Sequence, residues 1–176
     1  MDIEIDKVGV EEKAVLRCML ELYQHDHAEW DDQDLDEHGL YGYRYLDHYW
    51  TEHGRHAYFI RVDGRLAGFA MVRDGTNTGD AHHFAEMFIV RKYRRQGLAR
   101  RLAFRVFDLL PGKWEVRQAE RNVEAQAFWR AIISEYTGGD YTEVRKPDWD
   151  GPMQVFESKG EGSGQRHSAK VARRIR

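Results

Sequence analysis

A basic turn that contains a glycine stands between an apolar segment and a helical pattern. It reads Arg91-Lys92-Tyr93-Arg94-Arg95-Gln96-Gly97. The first backbone N–H groups of a helix have no partner within the helix, and the helix dipole favours negative charge at that end. Gly97 has no Cβ, so a phosphate could approach the backbone there. The turn therefore indicates a pocket for a pyrophosphate, with Arg94 and Arg95 beside it.

The apolar segment before the turn, Phe84–Val90, contains a single acid, Glu86. Burial raises the pKa of a carboxyl group toward neutrality, so Glu86 is a candidate general base. The alternative for Glu86 is a structural carboxylate that pairs with a basic side chain or with backbone amides. His82 and His83 are further candidates, because the ordinary pKa of histidine is close to neutral pH.

Two elements must position these residues. The segment Phe84–Val90 is almost wholly apolar, which is typical of a central strand that is buried on both faces. The turn is followed by a helical pattern, in which apolar residues recur at spacings of one helical turn. Its apolar positions are Leu98, Leu102, Val106 and Leu109.

Two common phosphate-binding signatures are absent from the chain: Gly-x-Gly-x-x-Gly of dinucleotide sites and Gly-x-x-x-x-Gly-Lys-Ser/Thr of nucleotide triphosphatases. The turn instead fits Gln/Arg-x-x-Gly-x-Gly/Ala, which is filled by Arg94, Gly97 and Ala99. Downstream, Asn122–Trp129 fits Asn-x-x-Ala-x-x-aromatic/Leu-Tyr except at its last position. Asn122 is also a good helix N-cap.

With these two motifs the chain resembles the GCN5-related N-acetyltransferase (GNAT) superfamily, most sharply from Phe84 to Ile133. The resemblance implies an α/β (α+β) fold with a central mixed, mostly antiparallel twisted sheet of six to seven strands and about four flanking helices. It implies a GNAT domain over residues 1–158, and composition predicts a flexible basic tail over 159–176.

The resemblance also implies chemistry. It implies direct transfer of an acetyl group from acetyl-CoA, the co-substrate, to a primary amine in a ternary complex, and it allows a homodimer. No metal ion is expected, because the scattered histidines lack a matching set of ligands at suitable spacing. Matching positions would bind the coenzyme through pantetheine, carbonyl and pyrophosphate contacts. They are Phe88, Ile89, Val90, Arg94, Arg95, Gln96, Gly97, Leu98, Ala99, Arg100, Asn122, Phe128 and Trp129.

Acetyl transfer requires a neutral amine, and an alkylamine is mostly protonated at neutral pH, so a base such as Glu86 must accept a proton. The tyrosine that the superfamily often uses as a general acid is replaced here by Trp129, whose indole N–H is only weakly acidic. Tyr136 and Tyr141 follow the same helix. We take Tyr136 as the candidate acid, with packing as the alternative for both.

The acceptor pocket of the superfamily is walled partly by the region between the first two helices. Here that region is acidic and includes Trp30, Asp31 and Asp32. These residues are candidates for binding a cationic small molecule or peptide, with a solvated acidic loop as the alternative.

Composition favours a cytoplasmic protein without a membrane span. Charged residues make up 32% of the chain, and no apolar run approaches transmembrane length. The single cysteine, Cys18, suits a reducing compartment and is predicted to be buried. The tail from Lys159 to Arg176 carries six basic side chains and one acid, and a solvated tail is favoured over a nucleic-acid or membrane arm. A non-catalytic acyl-CoA-binding or protein-interaction module is the alternative function.

The remaining elements follow from periodicity. A first strand includes Ile3 and Ile5, a helix spans Glu11–His27, and a short second helix lies within Leu40–Trp50. Two strand pairs are also predicted. They are Ala57–Val62 with Leu66–Val72 across Asp63-Gly64, and Tyr141–Val144 with Met153–Glu157.

Overall fold

The computed structural model describes residues 1–75 and 81–160. Within these ranges the chain forms seven β-strands and four α-helices. In chain order they are β1 Ile3–Lys7, α1 Lys13–Asp31, α2 His48–Thr51, β2 Arg55–Val62, β3 Arg65–Asp74, β4 His82–Ile89, α3 Leu98–Leu109, β5 Gly112–Arg117, α4 Val123–Thr137, β6 Thr142–Val144 and β7 Met153–Ser158. The predicted basic tail lies outside the described residues from position 161 onward.

The seven strands form one sheet in the order β1-β2-β3-β4-β5-β7-β6. Antiparallel pairs join β1 to β2, β2 to β3, β5 to β7 and β6 to β7. The pair between β4 and β5 is parallel, with His82 opposite Trp114. The sheet is therefore mixed and mostly antiparallel, and the predicted fold class is confirmed.

The described chain divides into two compact units. The first comprises Met1–Asp74 and Phe84–Ala99, and the second begins with Gly75–His83 and continues from Arg100.

No helix in residues 1–75 and 81–160 is long and apolar enough to cross a membrane. The predicted domain boundary at residue 158 stays a prediction.

The core of the first unit is formed where α1 packs against aromatic and aliphatic side chains of β2 and β3. Leu16 and Leu20 of α1 are fully buried, as are Phe69 and Met71 of β3. The β2–β3 hairpin turns at the predicted Asp63-Gly64, where φ is 48° and 74°. Two consecutive positive φ angles are typical of the tight type I′ turn that Asp-Gly favours.

Helix α1 carries two apolar stripes, and the structure buries only one of them. The stripe of Val15, Cys18 and Leu22 is exposed, while Leu16 and Leu20 on the other stripe are buried. The prediction that Cys18 is buried was therefore wrong. Positions separated by three and seven residues share a helix face, so Cys18 follows Val15 and Leu22 to the surface.

Strand β4 is buried less than its apolar sequence predicts. Phe88 and Ile89 at its end are buried, but Ala85, Glu86 and Met87 are only partly buried. The expectation of a strand buried on both faces was wrong for this stretch, because Glu86 borders an open cleft.

The second unit packs around Phe107 of α3. Its ring centroid lies 4.9 Å from those of Trp114, Tyr136 and Phe156. These three rings come from β5, α4 and β7, so one aromatic side chain joins three elements. Ring pairs at such spacings contribute beyond the area that they bury.

Helix α4 begins at the residue that the sequence predicts. The side-chain oxygen of Asn122 accepts a hydrogen bond from the backbone N–H of Ala125 at 3.0 Å. The helix ends at Gly138, whose φ of 69° allows its N–H to reach the carbonyl of Ser134. The predicted N-cap role of Asn122 is confirmed.

Replacing Asn122 with Ala should lower the free energy of unfolding by about 1 kcal/mol, because an N–H in the first turn of α4 loses its partner. Urea denaturation of the two proteins measures the difference. Asn122→Asp keeps an acceptor oxygen and should remain within about 0.5 kcal/mol of the wild type. Equal stability of the Ala variant would contradict the capping role.

Candidate active site

The first unit contains an open cleft of about 600 Å³. Its walls come from α1, from the irregular segment that follows α1, and from β4. The lining residues are Tyr23, Gln24, Gln33, Tyr41, Gly42, Tyr43, Arg44, Tyr45 and Glu86. Among the described residues the lining has four tyrosines, one acid and one arginine, so this part of the cleft is aromatic with little net charge.

Side chains of α1 and of the loop itself hold this irregular wall in place. The carboxylate of Glu21 accepts hydrogen bonds from the backbone N–H groups of Tyr41 and Gly42, at 2.7 and 3.0 Å. The Gln33 side chain donates to the carbonyl of Tyr41 at 3.1 Å. Backbone groups without a strand partner are thereby satisfied, and the tyrosine-rich segment is fixed against α1.

Glu86 projects from β4 into the cleft, where Tyr43 contacts it. The Tyr43 hydroxyl donates a hydrogen bond to Oε1 of Glu86 at 3.0 Å. Burial and the nearby Glu86 carboxylate both raise the pKa of Tyr43 above its ordinary value. Tyr43 therefore stays a protonated phenol and serves as a fixed donor to the carboxylate.

Tyr49 is a core residue that lies near Tyr43 and Glu86. Its side chain is buried, and burial raises the pKa of Tyr49 to about 12 although Arg55 opposes the change. The Arg55 guanidinium lies 5.7 Å from the centroid of the Tyr49 ring. Like Tyr43, Tyr49 carries its proton throughout the neutral pH range.

The two histidines considered as alternative bases have different surroundings in the second unit. His82 Nε2 contacts the carbonyl oxygen of Pro111 at 3.2 Å, and its ring lies 5.2 Å from that of Trp114. His83 is buried, with Nε2 4.0 Å from the carboxylate of Glu115. These contacts favour structural roles for both.

The predicted pyrophosphate turn has a backbone shape that differs from the surrounding regular structure. It begins with a 3-10 turn at Arg91–Tyr93, and φ is 61° at Arg95 and 76° at Gly97. A Cβ added at Gly97 would meet no atom within 4 Å. The glycine is thus required by its positive φ, and the space beside it is open at the start of α3.

Asp26 of α1 braces this turn. Its carboxylate accepts hydrogen bonds from Arg91, at 2.7 Å, and from Arg94. Burial alone would raise the pKa of Asp26, but the two guanidinium groups hold it below its ordinary value. Arg94 Nε also donates to the carbonyl of Ile89 at 2.8 Å. Arg94 therefore connects the turn to α1 and to the end of β4, and both Arg94 and Arg95 are exposed.

The end of β4 lies unusually close to β3, and the sequence pattern did not indicate this. A Cβ at Gly68 would stand 2.2 Å from the carbonyl oxygen of Phe88, so only glycine fits there. Val90 N–H donates to the carbonyl of Ala67 at 2.9 Å. The backbone from Phe88 to Val90, which is predicted to contact the coenzyme, is thereby fixed in position.

Other residues predicted for coenzyme binding lie in the second unit. Arg100 is paired with Glu135 through two hydrogen bonds of 2.8 and 2.5 Å. On α4, Trp129 is buried and Phe128 is partly buried. By contrast, Leu98 and Ala99 belong to the first unit, where α3 begins, and Leu98 is buried.

Tyr136, the predicted general acid, is buried in the second unit. Its hydroxyl donates to Oδ1 of Asp108 at 2.8 Å and lies 2.8 Å from the hydroxyl of Ser158. Ser158 in turn donates to the carbonyl of Phe107. This network joins α3, α4 and β7, and the role of Tyr136 as an acid stays a prediction.

The predicted acceptor residues Trp30, Asp31 and Asp32 are at the end of α1. Trp30 is 37% exposed, and Asp32 ends the helix with φ at 51°. The structure does not describe the side chain of Asp31. Their role in binding a cation stays a prediction. Among residues 1–75 and 81–160, no group of three or more histidine, cysteine or acidic side chains could hold a metal ion.

Comparison with known sequences identifies the family. The sequence profile of the acetyltransferase (GNAT) family matches residues 17–132. The chain belongs to the GNAT family. The match spans the cleft, Glu86, the pyrophosphate turn and most of α4, so the two motifs seen in the sequence belong to the family domain. No curated protein sequence matches the chain.

Solved structures share the fold of this GNAT protein at low sequence identity. PaiA N-acetyltransferase from Thermoplasma acidophilum, in complex with coenzyme A, is 13% identical, with a TM-score of 0.59 over 88% of this chain and 98% of that one. Spermidine N-acetyltransferase from Vibrio cholerae, in complex with CoA and spermine, is 12% identical, with a TM-score of 0.61 over 89% and 95%. Ribosomal-protein-S18-alanine N-acetyltransferase from Escherichia coli is 13% identical, with a TM-score of 0.57 over 92% and 98%.

Replacing Asp26 with Asn should lower the free energy of unfolding by about 1 kcal/mol at neutral pH, because Arg91 and Arg94 lose their charged partner. The two guanidinium groups hold the pKa of Asp26 in the folded protein below the ordinary value of an aspartate, about 3.9. Its stabilisation is therefore present above that value and is lost as the pH falls through the lower folded pKa.

Urea denaturation at pH 7 and at successively lower pH tests this contribution. The difference between Asp26→Asn and wild type should shrink below about pH 4. Asp34→Asn is the matched control, because Asp34 is exposed. A difference that did not change with pH would contradict the ion-pair interpretation.

Proposed function

We propose that this GNAT protein is an acetyl-CoA-dependent N-acetyltransferase that acts on a primary amine in a ternary complex. The observation that carries the proposal is the carboxylate of Glu86 in an open cleft, with Tyr43 donating to it at 3.0 Å. The same strand leads within a few residues to the pyrophosphate turn. Base and coenzyme site are thus linked by one short, fixed segment.

Coenzyme binding is supported by the open space beside Gly97 and by the start of α3. Unpaired N–H groups at the first turn of α3 would bind pyrophosphate oxygens, and Arg95 would add positive charge. Phe88 and Ile89 would contact the pantetheine arm and the thioester carbonyl. PaiA N-acetyltransferase and spermidine N-acetyltransferase, which share the fold, were both solved with the coenzyme.

In the proposed reaction, Glu86 accepts a proton from the bound ammonium group, directly or through water. The neutral nitrogen attacks the thioester carbonyl carbon, so a C–N bond forms and the C–S bond breaks. The nitrogen then gives up a second proton, the leaving thiolate takes up one proton, and the products are an N-acetylated amine and free coenzyme A. Holding both substrates in contact supplies much of the acceleration.

Tyr43 acts in this scheme as a positioning residue. Its raised pKa makes it a poor source of a proton for the thiolate. As a buried donor it instead orients the Glu86 carboxylate toward the cleft, as a base requires. Tyr136 remains the predicted acid, although its hydroxyl is engaged by Asp108 and Ser158.

The direct test is release of free thiol from acetyl-CoA in the presence of a panel of primary amines. We expect thiol release that depends on both substrates and yields an N-acetylated amine by mass spectrometry. Coenzyme binding without turnover of any amine would instead support a non-catalytic acyl-CoA-binding module.

Glu86→Gln should lower kcat by about 10²-fold or more and leave the Kd for coenzyme A nearly unchanged, because only the proton acceptor is lost. Steady-state kinetics and calorimetry measure the two quantities. Glu4→Gln, which changes an exposed acid on β1, is the control for the loss of one charge. Activity of Glu86→Gln equal to that of the control would exclude Glu86 as the base.

Gly97→Glu should abolish coenzyme binding, because it places a carboxylate and a strained positive φ beside the phosphate site. Gly97→Ala separates the two effects, because it brings the strain but no charge into open space. We expect the alanine variant to retain measurable binding. Calorimetric titration with coenzyme A measures the affinity of both variants. Unchanged affinity of Gly97→Glu would mean that the turn is not the phosphate site.

A further inference from the structure

Two guanidinium groups of the basic turn share one carboxylate of α1. Oδ1 of Asp26 accepts a hydrogen bond from Nη2 of Arg91 at 2.7 Å, and Oδ2 accepts one from Nη2 of Arg94. The side chain of Asp26 is only 13% exposed, whereas those of Arg91 and Arg94 are 76% and 42% exposed. The carboxylate is thus nearly buried, while both cations still reach solvent.

The bonds of the two arginines leave donors for a further partner. Arg94 donates from Nε to the carbonyl of Ile89, at 2.8 Å, and from Nη2 to Asp26. Nε and Nη2 form one edge of the planar guanidinium group, which carries five N–H donors. Nη1 takes part in neither bond. The Asp26 bond of Arg91 likewise uses only Nη2. Both side chains are therefore oriented from one side and can donate to an anion from another.

The cluster of Asp26, Arg91 and Arg94 carries more positive charge than the ion pair requires. The two guanidinium groups hold the pKa of Asp26 below its ordinary value, so the carboxylate is ionised at neutral pH. One arginine would be enough to neutralise it. The second guanidinium group leaves a positive charge uncompensated, and Arg95 is a further exposed base in the same turn. An anion of the ligand would complete this charge balance.

We propose that Arg91 and Arg94 bind the pyrophosphate of the coenzyme as a pair, and that Asp26 is the positioning residue that holds their side chains for it. This inference rests on the proposed function. Arg91 precedes the signature Arg94–Ala99 and Asp26 belongs to α1, so the motif assigns neither of them. An arginine side chain that is ordered only on binding lowers the affinity, and the contacts with Asp26 provide that order in advance.

Asp26 has two opposite effects on phosphate binding. Its negative charge repels a phosphate, so the charge alone predicts tighter binding when Asp26 is removed. Its hydrogen bonds fix two donors, so positioning predicts weaker binding. The arginines are exposed to solvent, where interactions between charges are screened. We therefore expect the positioning effect to be the larger one.

Calorimetric titration with coenzyme A measures the balance of the two effects. Asp26→Asn should raise the Kd about tenfold, because two side chains must then be ordered on binding. Asp26→Glu keeps the carboxylate on a longer side chain and should recover part of the affinity. Asp6→Asn, which changes an exposed aspartate on β1, is the matched control. Equal or tighter binding by an Asp26→Asn protein that melts well above the assay temperature would overturn the positioning role.

A double-mutant cycle tests whether Asp26 acts through the two arginines. Arg91→Gln and Arg94→Gln should each weaken the binding of coenzyme A, and Arg65→Gln, at an exposed position on β3, is the control. In the protein that carries both glutamines, Asp26→Asn should change the Kd little further. An undiminished effect of Asp26→Asn in that background, or normal binding by Arg91→Gln, would contradict the proposed pair.

Ligands with fewer phosphate groups locate the effect. 3′-Dephospho-coenzyme A retains the pyrophosphate, so Asp26→Asn should weaken its binding by a similar factor. With S-acetylpantetheine, an acetyl donor that has no phosphate, kcat/KM should stay nearly unchanged. An equal loss with this donor would indicate general damage to the first unit. A loss confined to coenzyme A itself would exclude the pyrophosphate as the partner of the arginines.

The outcomes separate this inference from the proposed function. If the wild type binds neither coenzyme A nor its 3′-dephospho form, the proposed coenzyme site fails. If the wild type binds both and transfers acetyl groups, but Asp26→Asn has the same Kd as Asp6→Asn, the proposed function stands and the role of Asp26 is wrong.

Discussion

The hydrogen bond from the Tyr43 hydroxyl to the Glu86 carboxylate is the interaction on which the cleft depends. It joins an irregular segment to the central strand β4 and fixes a carboxylate in a partly buried, aromatic setting. Without it, the Tyr41–Tyr45 segment would lose a hydrogen bond to the strand, and Glu86 would lose a donor that helps to orient its carboxylate. One contact thus links the architecture of the cleft to its chemistry.

Helix α1 supports both halves of the candidate site. On one side, Glu21 holds the backbone of the tyrosine-rich segment. On the other, Asp26 holds the arginines of the pyrophosphate turn. Because Glu21 and Asp26 belong to one helix, α1 holds both the cleft wall and the predicted pyrophosphate turn within the first unit.

Local patterns predicted much of the fold. The Asp63-Gly64 hairpin, the start of α3 and the Asn122 cap are short-range features, whose physical causes lie within a few residues of sequence. The buried face of α1 was harder to predict from the sequence. The helix has two apolar stripes, and only tertiary packing decides whether the stripe of Leu16 or that of Cys18 is buried. For Gly68, the close approach of Phe88 from another strand is visible only in three dimensions.

The candidate site was predictable only in part. Glu86 and the turn at Arg94–Ala99 stand out, because an isolated acid in an apolar strand and a glycine before a helix are both local signals. The cleft was not predicted, since its wall has no periodicity and is held by Glu21, some twenty residues away along the chain.

The most direct test of Glu86 as the base is the pH dependence of kcat/KM for acetyl transfer to a single amine, measured in wild type and in Glu86→Gln. The wild type should lose activity on the acid side both from protonation of the amine and from protonation of Glu86. In the variant, kcat/KM should be lower at every pH, and its remaining fall on the acid side should reflect protonation of the amine alone. Superimposable profiles for the two proteins would contradict the assignment of Glu86 as the proton acceptor.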